Sequence, residues 1–77
     1  MGSRRSEALN TLLELSPEVI LHLEKIRAHP DAWASHHWRT EVRGWLRQME
    51  RELGRIGKRT RAEWKVRIDG WWNELGG

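Results

Sequence analysis

The sequence contains no cysteine, phenylalanine or tyrosine, and only two prolines. Without cysteine there is no disulfide framework, no thiolate nucleophile and no sulfur ligand for a metal. That composition suits a reducing compartment, so a cytoplasmic location is expected. No apolar run approaches the roughly 20 residues of a membrane-spanning helix. Met1-Gly2-Ser3-Arg4-Arg5 is basic, but no apolar segment follows it, so it does not read as a secretory signal. Residues 1–5 are expected to form a disordered tail ahead of one helical domain over residues 6–77. A glycine-rich phosphate loop is missing too, as are an internal repeat and any low-complexity segment.

What is present is tryptophan and arginine. Six tryptophans are the only aromatic residues besides histidine. They supply large buried area to a small core, and each brings an indole N–H that wants a partner. Arginine outnumbers lysine eleven to three, which favours forked contacts to phosphate or carboxylate, although a GC-rich coding sequence gives the same bias. The net charge of +3 is unevenly placed: residues 1–34 carry −1 and residues 35–77 carry +4. A 77-residue chain buries only about 60–65% of its unfolded surface, so its core is marginal.

The apolar spacing predicts an all-α fold. Leu9, Leu12 and Leu13 mark a first helical segment. Ser16-Pro17-Glu18 reads as a helix restart, and Val19, Ile20, Leu23 and Ile26 carry the pattern to about Ala28. Residues 6–28 are thus one helix kinked at Pro17 or a pair of helices. Pro30 ends this run, and a long helix is predicted over 31–56, with Trp38, Val42, Trp45, Met49, Leu53 and Ile56 as its seam. Gly57 is placed at the helix C-terminus. Thr60-Arg61-Ala62-Glu63 has the form of a capping box, which opens a last helix over 60–75 with Trp64, Ile68, Trp71 and Leu75 inward.

If the second and last of these segments fold back antiparallel about residues 57–60, facing residues share one position sum. Leu53–Trp64, Met49–Ile68, Leu46–Trp71, Trp45–Trp72 and Val42–Leu75 all sum to 117. The expectation is a small antiparallel three-helix bundle, or four helices if Pro17 breaks the first, with a C-terminal helical hairpin.

Two surfaces are candidates for binding. Arg43, Arg47, Arg51 and Arg55 fall on the outward arc of the long helix with no acid among them. Lys58, Arg59 and Arg61 extend that arc around the turn, forming a candidate contact for nucleic-acid phosphates or another anion. Its spacing does not fit a helix-turn-helix. The second candidate is a protein contact at Trp33, Ala62, Val66, Gly70 and Trp72. Ala62, Val66 and Gly70 repeat every four residues, which lets another helix approach closely, either the first segment of this chain or a second copy.

Metal and catalytic roles find little support. His36 and His37 are adjacent and diverge by about 100° on a helix, and His22 and His29 are poorly spaced for one ion, so no metal or other cofactor is expected. The carboxylates are dispersed, Ser35 beside His36-His37 lacks an orienting third group, and a bundle of this size is expected to lack room for a ligand cleft. These features point away from an enzyme acting on a small-molecule substrate. The expected function is a non-catalytic adaptor or regulator working through protein–protein contact, with a homodimer as one form. Nucleic-acid association through the arginine face is the alternative. A third reading is membrane-surface binding by the Trp- and Arg-rich last helix, although its apolar face is expected to be occupied.

Overall fold

A computed structural model describes residues 4–76. The chain is all-α, and the described residues form three helices: α1 (Arg4–Ala28), α2 (Ser35–Leu53) and α3 (Lys58–Leu75). Among the described residues there is no strand.

Of the two alternatives at Pro17 the chain takes the single helix, and α1 differs from the expectation at its start and in the role of Ser16. It begins at Arg4, so Arg4 and Arg5 are helical; the rest of the expected tail lies outside the described residues. It also runs through Pro17 as one element. Proline lacks the N–H that would bond the carbonyl four residues back. Here that carbonyl belongs to Leu13, and both Leu13 and Pro17 are exposed, so water can satisfy it. Ser16 does not cap a new helix; its hydroxyl donates to the Leu12 carbonyl at 2.7 Å.

The second helix starts later than the spacing suggested. After α1, the chain makes two successive four-residue turns, with Ala32 N–H donating to His29 O and Ser35 N–H to Ala32 O. The Ser35 hydroxyl donates to Pro30 O at 3.1 Å, and Ser35 is buried. Pro30 and the serine bridge therefore hold residues 29–34 as a corner, and α2 begins at Ser35.

The turn between α2 and α3 also differs. Gly54 follows α2 in a helical conformation, and the N–H groups of Arg55 and Ile56 each donate to the carbonyl three residues back, Glu52 O at 3.0 Å and Leu53 O at 3.4 Å. Gly57 is extended (φ −65°, ψ 155°) and is the residue that precedes α3, not the one that closes α2. Its carbonyl accepts from Arg61 N–H at 2.8 Å. Thr60 therefore lies inside the first turn of α3 and makes no capping bond. The side chain that caps is Arg61, whose guanidinium donates to Leu53 O at 2.9 Å and to Ile56 O at 3.1 Å. Helix α3 continues past Gly70 and closes at Gly76. That glycine takes the left-handed conformation (φ 91°) and bonds back to Trp72 and Asn73, as helix-ending glycines do.

The core draws on all three helices: Ala8, Leu12, Val19, Leu23 and Ile26 from α1; Val42, Leu46, Met49 and Leu53 from α2; and Trp64, Ile68 and Leu75 from α3, with Ile56 from the turn. Helix α1 packs most extensively on α2, α3 docks mainly on α2, and α1 and α3 meet least. The molecule is accordingly wider than it is thick, 45 × 22 × 15 Å, with α2 in the middle. Two expected core residues, Leu13 and Ile20, are exposed instead. Among the described residues, no buried side-chain nitrogen or oxygen lacks a hydrogen-bond partner.

The burial pattern also brings out a likeness within the chain. Trp38, Val42, Gly44-Trp45 and Met49 in α2 recur at a constant offset in α3 as Trp64, Ile68, Gly70-Trp71 and Leu75. This short likeness qualifies the expectation of no internal repeat, and its matched pairs that are buried in both helices are Val42 with Ile68 and Met49 with Leu75.

Candidate interaction surfaces

The arginines expected on the outward arc of α2 differ in exposure. Arg47, Arg51 and Arg55 are exposed and Arg43 is half-buried. Arg43, Arg47 and Arg51 make no ion pair among the described residues; Arg55 reaches Glu52 at 3.6 Å. Lys58 and Arg59 are exposed at the start of α3 and likewise unpaired among the described residues. Arg61 is set apart from this group, because its guanidinium is engaged by the carbonyls that end α2.

The proposed protein-contact residues do not form one patch. Trp33, in the corner between α1 and α2, is 91% exposed. Ala62, Val66 and Gly70 are exposed on the side of α3 away from Trp64 and Ile68, with Val66 at 73%. This stripe therefore does not receive α1. A Cβ placed at Gly70 meets nothing within 4 Å. Trp72 is half-buried and packs on the core, as do Trp38, Trp45 and Trp71.

Sequence reasoning missed a surface on α1. Leu13 is 60% exposed, and Ile20 and Leu21 are 45% and 46% exposed. Together with Pro17 they form an apolar outer side, bordered by the exposed carboxylates of Glu14, Glu18 and Glu24. The sequence signal was available: α1 carries more leucine and isoleucine than one 100°-wide stripe can hold.

Where α1 meets α2, His22 is buried, and its ring stands edge-on to Trp45, with centroids 4.8 Å apart and planes at 85°. Its Nδ1 lies 2.9 Å from Glu18 O. The Glu41 carboxylate lies 2.9 Å from His37 Nε2 and 3.9 Å from His22 Nε2. Lys25 Nζ sits 5.9 Å from the centre of the Trp38 ring, a second charged contact between the two helices. These groups join helices and do not gather around an open position. Among the described residues no group of three or more histidine and acidic side chains is placed to hold a metal ion.

The fold leaves a small surface groove to set beside the expectation that there is no room for a ligand cleft. An open cleft of about 250 Å³ lies where the ends of α1 and α3 meet the start of α2, lined by Leu23, Ile26, Arg27, Pro30, Arg39 and Glu74. It exists because α1 and α3 pack least on each other. The cleft is smaller than the roughly 300–1,000 Å³ typical of ligand sites. Both its arginines are engaged: Arg27 pairs with Glu74, and Arg39 donates to Leu75 O.

No protein-family model, curated protein or solved structure matches the chain. The class is therefore defined by the fold alone, a small three-helix all-α protein. Among the described residues no helix is long and apolar enough to cross a membrane.

Proposed function

We propose that this protein is a non-catalytic helical module that acts by binding another protein chain through the outer side of α1. The observation that carries this reading is the exposure of Leu13, Ile20 and Leu21 together on a helix whose opposite side already fills the core. An exposed apolar side with a charged border is the form protein-contact sites take. In the finer architecture we propose, the three helices form an antiparallel bundle. The bond from Arg39 to Leu75 O at one end and from Arg61 to Leu53 O at the other support that orientation for α2 and α3. A photocrosslinking residue at Leu13 or Leu21, introduced in the cells from which the chain comes, tests the function. Discrete protein adducts from both positions, and none from a probe at the exposed Asp69 on α3, are the expected result. No adduct from either position refutes it.

A second reading, phosphate binding, is favoured by the exposed Arg47 and Arg51 and the half-buried Arg43, which lie along one acid-free side and make no ion pair among the described residues. Contact with a nucleic-acid backbone would release counterions and make affinity fall steeply with salt. Titration of random-sequence DNA and RNA at about 50 mM salt tests it, since phosphate-driven binding is strongest there. Absence of micromolar binding, or binding unchanged by Arg43, Arg47 and Arg51→Glu together, rejects this reading. Membrane-surface binding by α3 has less support, because Trp64, Ile68 and Leu75 are buried in the core.

A further inference from the structure

We infer that the protein chain bound by α1 is a second copy of this one, seated so that α1 of each protomer lies along α2 of the other. The inference rests on the protein-contact reading above and names its partner.

The outer surfaces of α1 and α2 are complementary in charge. Glu7, Glu14 and Glu18 fall on one side of α1 at 100° per residue. All three are exposed, and their carboxylates make no ion pair among the described residues. The outer side of α2 offers Arg47 and Arg51, exposed and equally unpaired, with Arg55 one turn further on. A solvated helix surface ordinarily mixes its signs and pairs its own charges three or four residues apart. Here Glu7, Glu14 and Glu18 on α1 and Arg47 and Arg51 on α2 stand without an opposite charge of their own helix paired to them among the described residues, while Lys25, on the same side of α1, is turned to the Trp38 ring.

The heights of these groups match as well. Within one chain, His22 lies beside Glu41 and Lys25 beside Trp38, so neighbouring positions on α1 and α2 sum to about 63 when the helices run in opposite directions. A twofold axis parallel to the helices keeps every residue at its own height and sets α1 against α2 of the other copy in the same register. Glu18 then lies within two residues, about 3 Å, of the height of Arg47, Glu14 likewise of Arg51, and Glu7 within one residue of Arg55, separations that long arginine and glutamate side chains span. Leu21, an exposed leucine with no place in the core, lies within about 3 Å of the height of Gly44, where a Cβ would meet nothing within 4 Å. The leucine side chain fills the gap left by the glycine, and the arginine stems cover the apolar surface around it. Because the contact is isologous, each pair occurs twice.

The size of the face sets the strength. Two helices side by side over 19–25 residues present about 600–700 Å², allowing 1.5 Å per residue and 10 Å of width per helix. Stable interfaces bury roughly 800 Å² per partner, so the dimer is weak and reversible. Its charge pairs make it sensitive to salt.

Sedimentation equilibrium on three proteins tests the inference. The natural chain is expected to approach twice its 9.2 kDa mass between about 10 and 500 μM at low salt, and to dissociate when screening shortens electrostatic reach to about 3 Å near 1 M. Glu14→Arg with Glu18→Arg, and Arg47→Glu with Arg51→Glu, should each leave a folded monomer, with dimer affinity reduced roughly tenfold or more by like-charge contacts. Mixing the two variants should restore a dimer containing one of each, because both contacts in that pair again join opposite charges. If either variant fails to fold by circular dichroism, the single changes Glu14→Arg and Arg51→Glu carry the same test. A natural chain that stays monomeric throughout overturns the inference, as do reversals without effect or a mixture that remains monomeric. An α1 photoadduct heavier than two chains, beside a monomeric natural chain, overturns the second copy alone. Absence of any adduct overturns the protein-contact reading itself.

Discussion

Arg39, near the start of α2, donates a 2.6 Å hydrogen bond from Nη1 to the main-chain carbonyl of Leu75 at the end of α3. The last carbonyls of a helix have no partner within it, and a cation there also meets the negative end of the helix dipole. Replacing Arg39 with methionine keeps most of the stem and removes the bond. The expected loss is about 1–2 kcal/mol, read as a fall in Tm of roughly 4–8 °C per kcal/mol for a domain of this size.

Arg61 does the same for the end of α2, donating to both Leu53 O and Ile56 O. Arg59, two residues earlier, is exposed and has no ion pair among the described residues. Arg61→Gln should therefore cost about 1–2 kcal/mol, whereas Arg59→Gln should stay within about 0.5 kcal/mol, as ordinary surface changes do. Urea denaturation of both variants checks the contrast, and equal effects would mean that Arg61 is not a cap.

Ile68 is fully buried in the part of α3 that packs into the core. Truncation to alanine removes its contacts and leaves a cavity, with an expected loss of about 2–5 kcal/mol. In a small bundle with a marginal core that is a large share of the total stability. The variant should show a much lower midpoint in thermal or urea unfolding. A change below about 1 kcal/mol would contradict the burial of this side chain.

Gly44 and Gly70 lie inside α2 and α3, and a Cβ at either one meets nothing within 4 Å. Alanine at each should stabilise its helix by about 0.5–1 kcal/mol. Thermal unfolding of each single variant at low protein concentration measures this without any contribution from self-association.

The parts of the fold that were legible in the sequence follow from where polar and apolar side chains repeat. Val42, Met49, Leu53, Trp64, Ile68 and Leu75 were expected inward and are buried, because seven-residue periodicity averages over many positions. The caps were less legible. Thr60-Arg61-Ala62-Glu63 satisfies the capping-box pattern, yet the extended backbone at Gly57 starts α3 earlier and leaves Thr60 within its first turn. The bonds from Arg61 to Leu53 and Ile56 cross the turn, and no local motif records them. The start of α2 was misplaced for a related reason: the serine at 35 serves the corner by bonding Pro30 O, a tertiary role its neighbours in sequence do not announce.

The candidate surfaces divide in the same way. The acid-free side of α2 could be drawn from helical geometry alone, since exposure follows from lying opposite the seam. For α1 the surplus of leucine and isoleucine announced an apolar outer side, but not which residues form it. Leu13 and Ile20 look like core residues until the packing shows that Leu12, Val19 and Leu23 already occupy the positions facing α2 and α3. The arginine count did not distinguish Arg61 from Arg59, because only the folded turn brings two free carbonyls within reach of one of them.

The likeness between the Trp38–Met49 and Trp64–Leu75 segments has a consequence for specificity. In the proposed antiparallel register, exchanging α2 and α3 carries Val42–Leu75 onto Met49–Ile68 and Leu46–Trp71 onto Trp45–Trp72, so the hairpin nearly maps onto itself. Each helix is thus close to a substitute for the other, and little in the hairpin seam alone decides which chain supplies the partner. The short connection through Gly54 and Gly57, together with the Arg61 bonds that fasten it, makes the intramolecular pairing the local one. Loosening that connection would favour exchange of α3 between molecules, giving intertwined species held by the same side chains that close a single chain.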